Sequence, residues 1–294
     1  MPLPIPARSA PADGYRPPAL LQDIRLLDLL ELSGTTLEAS RLLKLSQPTV
    51  SRRYRALAED FALVQPRRCL SGCVYGTTPV LRWLRLGSRA HRLAAGVARI
   101  GSDVLLQPLL LDCPWQLPSP PRFRRVESWC ELVRQGVLDG AMVSGLELSD
   151  TPDLERSGLD LLPLGEIPLS LVRTSEPAGP LEGTDPLVLV PNRGVAGGLL
   201  RELQARGLTL RTAGNNCQSP AQWLHRLERG GLAMALPDLA PAHWWTPLQR
   251  LALSAPLAMP VWLVLPEGWR EEAVLVHIAN ALTAIPAPGS AEGS

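Results

Sequence analysis

The segment from Gly34 to Leu63 constrains the fold of this 294-residue chain more than any other part of its sequence. It divides into two short amphipathic stretches separated by a tight turn, a pattern that predicts two helices packed against each other. Ser46 can cap the second helix by accepting a hydrogen bond from a backbone N–H. Pro48 falls in the first turn of that helix, where a missing N–H costs nothing. The sequence therefore predicts a helix-turn-helix.

The two predicted helices separate apolar from polar side chains. Apolar residues at helical spacing form one buried face, made of Ala39, Leu43, Leu45, Val50 and Leu57. The polar residues left outside can bind nucleic acid, because Gln and Arg bond bidentately to adenine and guanine edges and Ser and Thr bond phosphate or base. An ordinary helix pair with a solvated polar face has the same pattern and remains an alternative. The predicted DNA-binding residues of this segment are Thr35, Ser46, Gln47, Pro48, Thr49, Ser51, Arg52, Arg53 and Arg55.

The distribution of charge along the chain favours a polyanionic partner. Residues 1–100 contain 15 Lys and Arg against 7 Asp and Glu, a balance of +8, whereas the remainder contains 14 against 21, a balance of −7. Within residues 41–99 the count is 12 basic residues against two acidic ones, Glu59 and Asp60. A phosphate backbone attracts such a segment. Double-stranded DNA is therefore the expected partner.

The helix-turn-helix residues resemble a known family. Ala39-Ser40, Leu43, the run from Leu45 to Ser51 and Leu57 are similar to the N-terminal winged helix-turn-helix of LysR-type transcriptional regulators. The Ser-Gln-Pro-Thr-Val-Ser core of the run is the distinctive part of this pattern. The resemblance implies that Gln47, Pro48, Ser51 and Arg52 approach DNA, and that Arg67 and Arg68 contact its backbone or minor groove from the wing.

The sequence departs from the family pattern after the second helix. Phe61-Ala62 stands where the family has Leu-Gly, and Gln65-Pro66 stands where it has Leu-Phe. Pro66 cannot donate to a sheet ladder, so the first strand of the wing is predicted to be short or frayed.

Residues 79–96 form a further amphipathic stretch, which predicts a linker helix. Its small and apolar residues fall on one side, and Arg82, Arg85, Arg89 and Arg92 form a stripe on another. In LysR-type proteins the equivalent helix pairs with its copy in a second chain, so the resemblance implies a homodimer or homotetramer. A surface helix with a solvated arginine face is the alternative. The apolar side consists of Val80, Leu84, Gly87, Ala90, Ala94 and Val97.

From residue 97 onward, short apolar runs alternate with amphipathic helices, a pattern typical of α/β units. The order resembles the effector-binding domain of LysR-type regulators, related in fold to type 2 periplasmic solute-binding proteins with two lobes around a cleft. The Pro-rich stretch between Ile100 and Phe123 is short for the family, which predicts a truncated first strand-helix unit. Strands are predicted at 97–102, 123–126, 138–143, 169–173, 187–190, 208–211, 232–236 and 261–265, and helices at 127–137, 195–206, 219–230 and 270–284.

A small-molecule effector is expected where strand ends and helix N-termini converge between the two lobes. Arg193 and Arg211 could pair with an anionic effector, although solvated surface positions are equally consistent with their sequence context. The predicted effector contacts are Ser102, Ser128, Ser144, Asn192 and Asn216, each of which could instead cap a helix or form a turn.

The five cysteines, at positions 69, 73, 113, 130 and 217, have no zinc-site spacing, and an odd count fits reduced thiols. A redox switch through Cys69 and Cys73 is an open alternative. No metal or other cofactor is expected. No run of about 18 apolar residues occurs, so no membrane contact is expected and the chain should be soluble and cytoplasmic.

The sequence thus predicts a multidomain fold: an all-α winged helix-turn-helix N-terminal domain with a linker helix, followed by a two-lobed α/β type 2 periplasmic-binding-protein-like domain. The predicted function is effector-controlled transcriptional regulation, with RNA polymerase as a further partner. An enzyme on the same fold is the alternative class, although no catalytic motif is visible. A ligand- or partner-binding protein with a vestigial DNA module is another alternative. The predicted boundaries are 1–18 for a disordered tail, 19–78, 79–96 and 97–285 for the three folded parts, and 286–294 for a second tail.

Overall fold

The computed structural model describes most of the chain. The described residues are 12–63, 73–111, 113–148, 158–174, 187–214, 220–230, 232–238, 248–251, 253, 255–269 and 272–283. The wing prediction, with Pro66, Arg67, Arg68 and Cys69, lies outside them, as do Asn216, Cys217 and most of both tails.

Four helices form the N-terminal part: α1 (Ala19–Ser33), α2 (Thr36–Leu43), α3 (Gln47–Asp60) and α4 (Pro79–Ala94). The predicted cap of α3 is confirmed, because the Ser46 hydroxyl accepts from the Thr49 N–H at 3.3 Å, and Pro48 lies in the first turn. Lys44 makes the turn between α2 and α3 with φ of 55°. The helix-turn-helix prediction is confirmed, and its apolar face packs on α1 through a core of Ile24, Leu27, Leu30, Ala39, Val50 and Leu57.

Eight strands and five helices form the described residues of the α/β part. The sheet order is β1-β2-β8-β3-β6-β4-β5, and β7 also pairs with β3. The strands are β1 (Ile100–Gly101), β2 (Gly140–Ser144), β3 (Leu159–Thr174), β4 (Val188–Val190), β5 (Leu210–Thr212), β6 (Ala233–Pro237), β7 (Leu248–Leu251) and β8 (Leu257–Pro266). The helices are α5 (Val126–Arg134), α6 (Gly145–Leu148), α7 (Gly197–Ala205), α8 (Pro220–Gly230) and α9 (Ala273–Thr283).

The long antiparallel strands β3 and β8 join two lobes. The first half of β3 pairs with β8, which also pairs with β2, whereas the second half of β3 pairs with β6. We call β1, β2, α5 and α6 the first lobe, and β4, β5, β6, α7 and α8 the second lobe. Parallel pairing joins β1 to β2 and β4 to both β5 and β6. This arrangement agrees with the predicted two-lobed α/β domain.

Several predicted elements differ from the structure. The strand predicted at 123–126 is absent, because residues 123–125 form a loop and α5 begins at Val126. The strand predicted at 169–173 is the end of β3, whose first half contains Pro163 and Pro168, residues that disfavour a strand assignment. Strand β7 was not predicted. The truncated first unit contains a single 3-10 turn, Gln107–Leu110.

Helix α4 turns most of its arginine stripe toward the interior of the protein. Arg85, Arg89 and Arg92 are at most 1% exposed, whereas Val80 is 60% exposed and Gly87 also faces solvent. The alternative of a solvated arginine face is therefore wrong for these three residues. Of the stripe, Arg82 alone is exposed.

The buried arginines bind two buried carboxylates. Asp139 binds the Arg92 guanidinium bidentately at 2.6 and 2.9 Å and accepts from the Arg99 backbone N–H at 2.7 Å. Asp28 of α1 accepts from Arg85 at 2.9 Å and from Arg99 at 3.0 Å. We call Asp28, Asp139, Arg85, Arg89, Arg92 and Arg99 the buried ionic network.

Four arginines and two carboxylates leave an excess of positive charge, which backbone carbonyls offset. Arg89 donates to the carbonyls of Val133 and Leu138, and Arg92 and Arg99 donate to those of Gly136 and Val137. These carbonyls lie at the C-terminal end of α5 and in the turn after it, where the helix dipole is negative. Gly136 allows the close packing, because a Cβ there would lie 3.1 Å from the Arg85 backbone, and its φ is +76°.

The ionisation of the network follows from its burial and pairing. Burial opposes the charge on Asp139, yet the Arg92 guanidinium and its hydrogen bonds hold the pKa of this carboxyl below its usual value. Burial lowers the pKa of Arg89 to about 10, which Asp139 partly counteracts, so Arg89 stays protonated near neutral pH.

The buried ionic network and two further arginines bind α1 to the first lobe. In the loop before α5, the Arg124 guanidinium donates to the carbonyls of Glu31 and Leu32 at 2.6 and 2.8 Å, and Arg122 donates to the carbonyl of Ser33. These carbonyls at the end of α1 have no partner within the helix. The apolar side chains of Leu29 and Leu32 share a core with the first lobe. Helix α1 and the first lobe are therefore continuously packed.

We predict that Asp139→Asn lowers the free energy of unfolding by about 3–5 kcal/mol, because it leaves the Arg92 charge buried without its partner. Urea denaturation monitored by circular dichroism measures this effect. The matched control is Asp23→Asn, which breaks an ion pair with Arg53 whose side chains are 46% and 40% exposed. Its expected cost is below about 1 kcal/mol, and equal losses in the two variants would contradict a stabilising role for the network.

Candidate DNA-binding surface and interlobe cleft

The start of α3 presents polar side chains to solvent. Gln47, Pro48, Arg52 and Arg55 are exposed, and Ser51 is partly exposed. The Gln47 side chain donates to the Thr36 hydroxyl at 3.1 Å, which joins the start of α3 to the start of α2. These residues occupy one outward face because the apolar positions Val50 and Leu57 turn the other face toward α1.

Other predicted DNA-binding residues take part in local structure. Thr35 caps α2 by accepting from the Glu38 N–H at 3.2 Å, and the Ser46 and Thr49 hydroxyls lie 2.7 Å apart. Arg53 pairs with Asp23 of α1. The capping hydroxyls and the Arg53–Asp23 pair thus stabilise the helix-turn-helix itself. The exposed arginines of α3 are Arg52 and Arg55.

The charge count of this region requires a correction. Of the 12 basic residues in 41–99, Arg85, Arg89, Arg92 and Arg99 are buried in the ionic network. These four cations lie in the interior, paired with Asp28 and Asp139, so they form no part of an exposed basic surface. Lys44, Arg52, Arg55 and Arg82 are exposed cations, and Arg41 is exposed and pairs with Glu38 at 2.5 Å.

Glu31 of α1 binds the backbone of the segment that precedes α4. Its carboxylate accepts from the Val74 and Tyr75 backbone N–H groups at 2.7 and 2.8 Å. Burial raises the pKa of Glu31 to about 7, although Arg85 and the two backbone hydrogen bonds act in the opposite direction. The carboxyl is therefore partly protonated near neutral pH.

This pKa makes the stability depend on pH. Between pH 4.5, the usual pKa of the carboxyl, and about 7, the folded chain holds a proton that the unfolded chain has released. The contribution of Glu31 to stability is therefore present in full below 4.5 and is lost as the pH rises to about 7. We predict that Glu31→Gln removes a fall of on the order of 3 kcal/mol across this window. Urea titrations of both proteins at several pH values test this, and parallel profiles would contradict it.

The predicted effector contacts that lie in the described part of the chain are Ser102, Ser128, Ser144 and Asn192, and three of these four are buried. Ser102, Ser128 and Ser144 are buried, and the Ser144 hydroxyl accepts from the Leu146 N–H at 3.2 Å. Asn192 is exposed, and its side-chain oxygen accepts from the Gly194 N–H at 2.8 Å, which is the turn-forming alternative. Arg211 is exposed on β5.

Apolar side chains fill the interior of the interlobe cleft. Phe123 and Trp223 meet edge to face with ring centroids 5.3 Å apart, and the cavity beside them measures about 10 Å³. A cavity of about 160 Å³ lies further out, between the starts of α5 and α7. Arg125, Glu127, Glu147 and Arg193 are among the residues that line it. Arg193 is thus the one predicted cationic contact that borders this cavity.

Sequence reasoning missed Asp28, Glu31, Asp139 and Glu147. Asp28 and Glu31 interrupt the apolar run Leu-Leu-Asp-Leu-Leu-Glu-Leu of α1, and such acidic residues inside an apolar helix signal buried partners. The arginine stripe of α4 supplies the opposite charge. Glu147 had no such signal, because its partners are backbone N–H groups distant in sequence.

Cys73 and Cys130 are buried, and Cys113 is partly exposed. Burial raises the pKa of Cys73 and Cys130 to about 12, so little thiolate forms at neutral pH, and the pairing of Cys73 with Cys69 lies outside the described residues. Within the residues that can be described, no group of three His, Cys, Asp or Glu residues could hold a metal ion. No helix in the described part of the chain is long and apolar enough to cross a membrane.

No family model matches the chain, and no curated protein matches its sequence. Solved structures of full-length LysR-type regulators are similar to it over most of its length. ArgP from Mycobacterium tuberculosis is 18% identical, with a TM-score of 0.47 over 89% of this chain and 95% of that one. HypT from Salmonella typhimurium, a hypochlorite-specific LysR-type transcriptional regulator, is 18% identical, with a TM-score of 0.44 over 89% and 96%. CbnR, solved with its target DNA, is 16% identical, with a TM-score of 0.46 over 89% and 98%.

Proposed function

We propose that this chain is a sequence-specific, DNA-binding transcriptional regulator of LysR type, controlled by a small-molecule effector between its two lobes. The observation that carries the proposal is the outward face of α3, a capped second helix, where Gln47 is exposed at the first position and Arg52 and Arg55 are exposed further along. In a helix-turn-helix this part of the second helix enters the major groove. Regulation also implies a cytoplasmic location and RNA polymerase as a further partner.

A second copy of the chain is the partner proposed for α4. Its outward face carries Val80 and Trp83, which are 60% and 73% exposed, above a groove of about 390 Å³ bordered by Thr77 and Leu86. Exposed tryptophan is characteristic of interface centres. A two-fold dimer through this face would present two copies of α3 to two half-sites of an operator.

The packing of the molecule suggests how an effector would act. The buried ionic network joins α1 to the first lobe, so the DNA-side helices would follow that lobe as a body. An effector that favours one arrangement of the second lobe would change the distance and orientation between the two helix-turn-helix units of a dimer. A coupling free energy of about 1–3 kcal/mol between effector and DNA is sufficient for such control.

We predict different effects for two substitutions on α3. Gln47→Ala should cost about 1–3 kcal/mol of discrimination at one base pair, because a groove-facing amide reads a base edge. Arg52→Ala should weaken binding to all sequences alike and reduce the slope of log K against log salt by about 1, if it contacts phosphate. Titration against the promoter of the chain's own gene, with random competitor DNA at two salt concentrations, measures both.

The control is Arg211→Ala, which removes one exposed positive charge from β5 in the second lobe. It should leave affinity and specificity unchanged. Wild-type binding no tighter than to competitor DNA would contradict the proposed function and favour a vestigial DNA module. An effect of Arg211→Ala equal to that of Arg52→Ala would place the DNA on another surface.

We predict that Trp83→Ser raises the dimer dissociation constant at least tenfold, because the large exposed side chain anchors the proposed α4 interface. Sedimentation velocity over a range of concentrations measures the dissociation constant. Val276→Ser is the control, since Val276 is a 40% exposed residue of α9 on another element. A wild-type dimer whose dissociation constant does not change in Trp83→Ser would contradict this interface.

A further inference from the structure

A carboxylate of the first lobe caps a helix of the second lobe. Glu147 lies in the short helix α6, and its two carboxylate oxygens accept from the Gly198 and Leu199 backbone N–H groups, both at 3.0 Å. These N–H groups belong to the first turn of α7. One side chain therefore connects the two lobes across the mouth of the cleft.

The chemistry of the α7 N-terminus explains this contact. The first N–H groups of a helix have no partner within it, and the helix dipole is positive at this end. Ala196, the residue before α7, has no side-chain group that could cap the helix. A carboxylate that accepts two such N–H groups forms charge-assisted hydrogen bonds. Glu147 thus supplies a cap that α7 does not have in its own sequence.

The backbone next to Glu147 allows α6 and the start of α7 to approach each other closely. A Cβ on Gly198 would lie 1.9 Å from the Leu146 carbonyl oxygen, so only glycine lets α6 rest on the start of α7. A second bond spans the same mouth, because the Arg125 guanidinium before α5 donates to the Gly194 carbonyl at 2.9 Å. The contact is therefore built from backbone geometry and from two side chains of the first lobe.

We propose that Glu147 is a latch between the lobes, so that the cleft opens only when its carboxylate leaves the start of α7. The regulatory meaning of the latch rests on the proposed function, since an effector that enters the cleft has to compete with this carboxylate for the α7 N–H groups. The latch itself is a property of the folded chain and requires no DNA.

Amide hydrogen exchange in the full chain tests the latch directly. Exchange at Gly198 and Leu199 should be slow in the wild type, and Glu147→Ala should raise it at least tenfold, because the carboxylate acceptor is removed. Glu127→Ala is the matched control, because Glu127 borders the same cavity and is exposed, and it should leave these amides unchanged. Unchanged exchange in Glu147→Ala would overturn the proposal.

Two further variants keep the test informative if Glu147→Ala folds poorly. Glu147→Gln retains the shape but loses the charge and one acceptor, so it should give an intermediate increase. Gly198→Ala leaves Glu147 in place but adds a methyl group against Leu146, and it should also raise exchange and increase the radius of gyration measured by X-ray scattering. A wild-type chain that binds no DNA would count against the proposed function, whereas exchange that none of the variants changes counts against the latch.

Discussion

The pairing of Asp28 and Asp139 with four buried arginines is the interaction on which the rest of this structure depends. It removes six ionised groups from water, and such a cluster persists only when nearly every donor and acceptor has a partner. The carbonyls after α5 complete the set. Helix α1, helix α4 and the first lobe therefore have to fold together.

This constraint separates the two surfaces on which the proposed function depends. Because Arg85, Arg89 and Arg92 point inward, the opposite face of α4 leaves Val80 and Trp83 exposed. The helix-turn-helix is held from behind by α1, so the face of α3 with Gln47 and Arg52 stays open. The second lobe, in contrast, meets the first through β3 and β8, through the Phe123–Trp223 contact, and through the hydrogen bonds of Glu147 and Arg125.

Local signals in the sequence predicted local structure well. Ser46, Pro48 and the spacing of apolar residues were sufficient for the helix-turn-helix, because caps and periodicity act within a few residues. The orientation of α4 could not be predicted in this way. Periodicity identifies the two faces of a helix, but Asp28 and Asp139, which decide the inward face, are distant in sequence.

The serines predicted for the cleft lie at strand ends or in the first turn of α5, as expected, yet they are buried in the folded chain. The loop at 123–125 was predicted as a strand, but Arg124 donates to a carbonyl at the end of α1 and Arg125 donates to the Gly194 carbonyl, and neither pairs with a neighbouring strand.

The shared burial of Asp28 with Arg85 and Arg99 also limits the modularity of the chain. In a fusion that carried residues 19–63 to a different α/β domain, the acceptor at Asp28 would travel without its two donors. The remaining fragment would in turn keep two buried guanidinium groups and lose a carboxylate that pairs with them. A boundary that keeps this network intact therefore lies after the first lobe, within β3 and β8, and not at the end of α3.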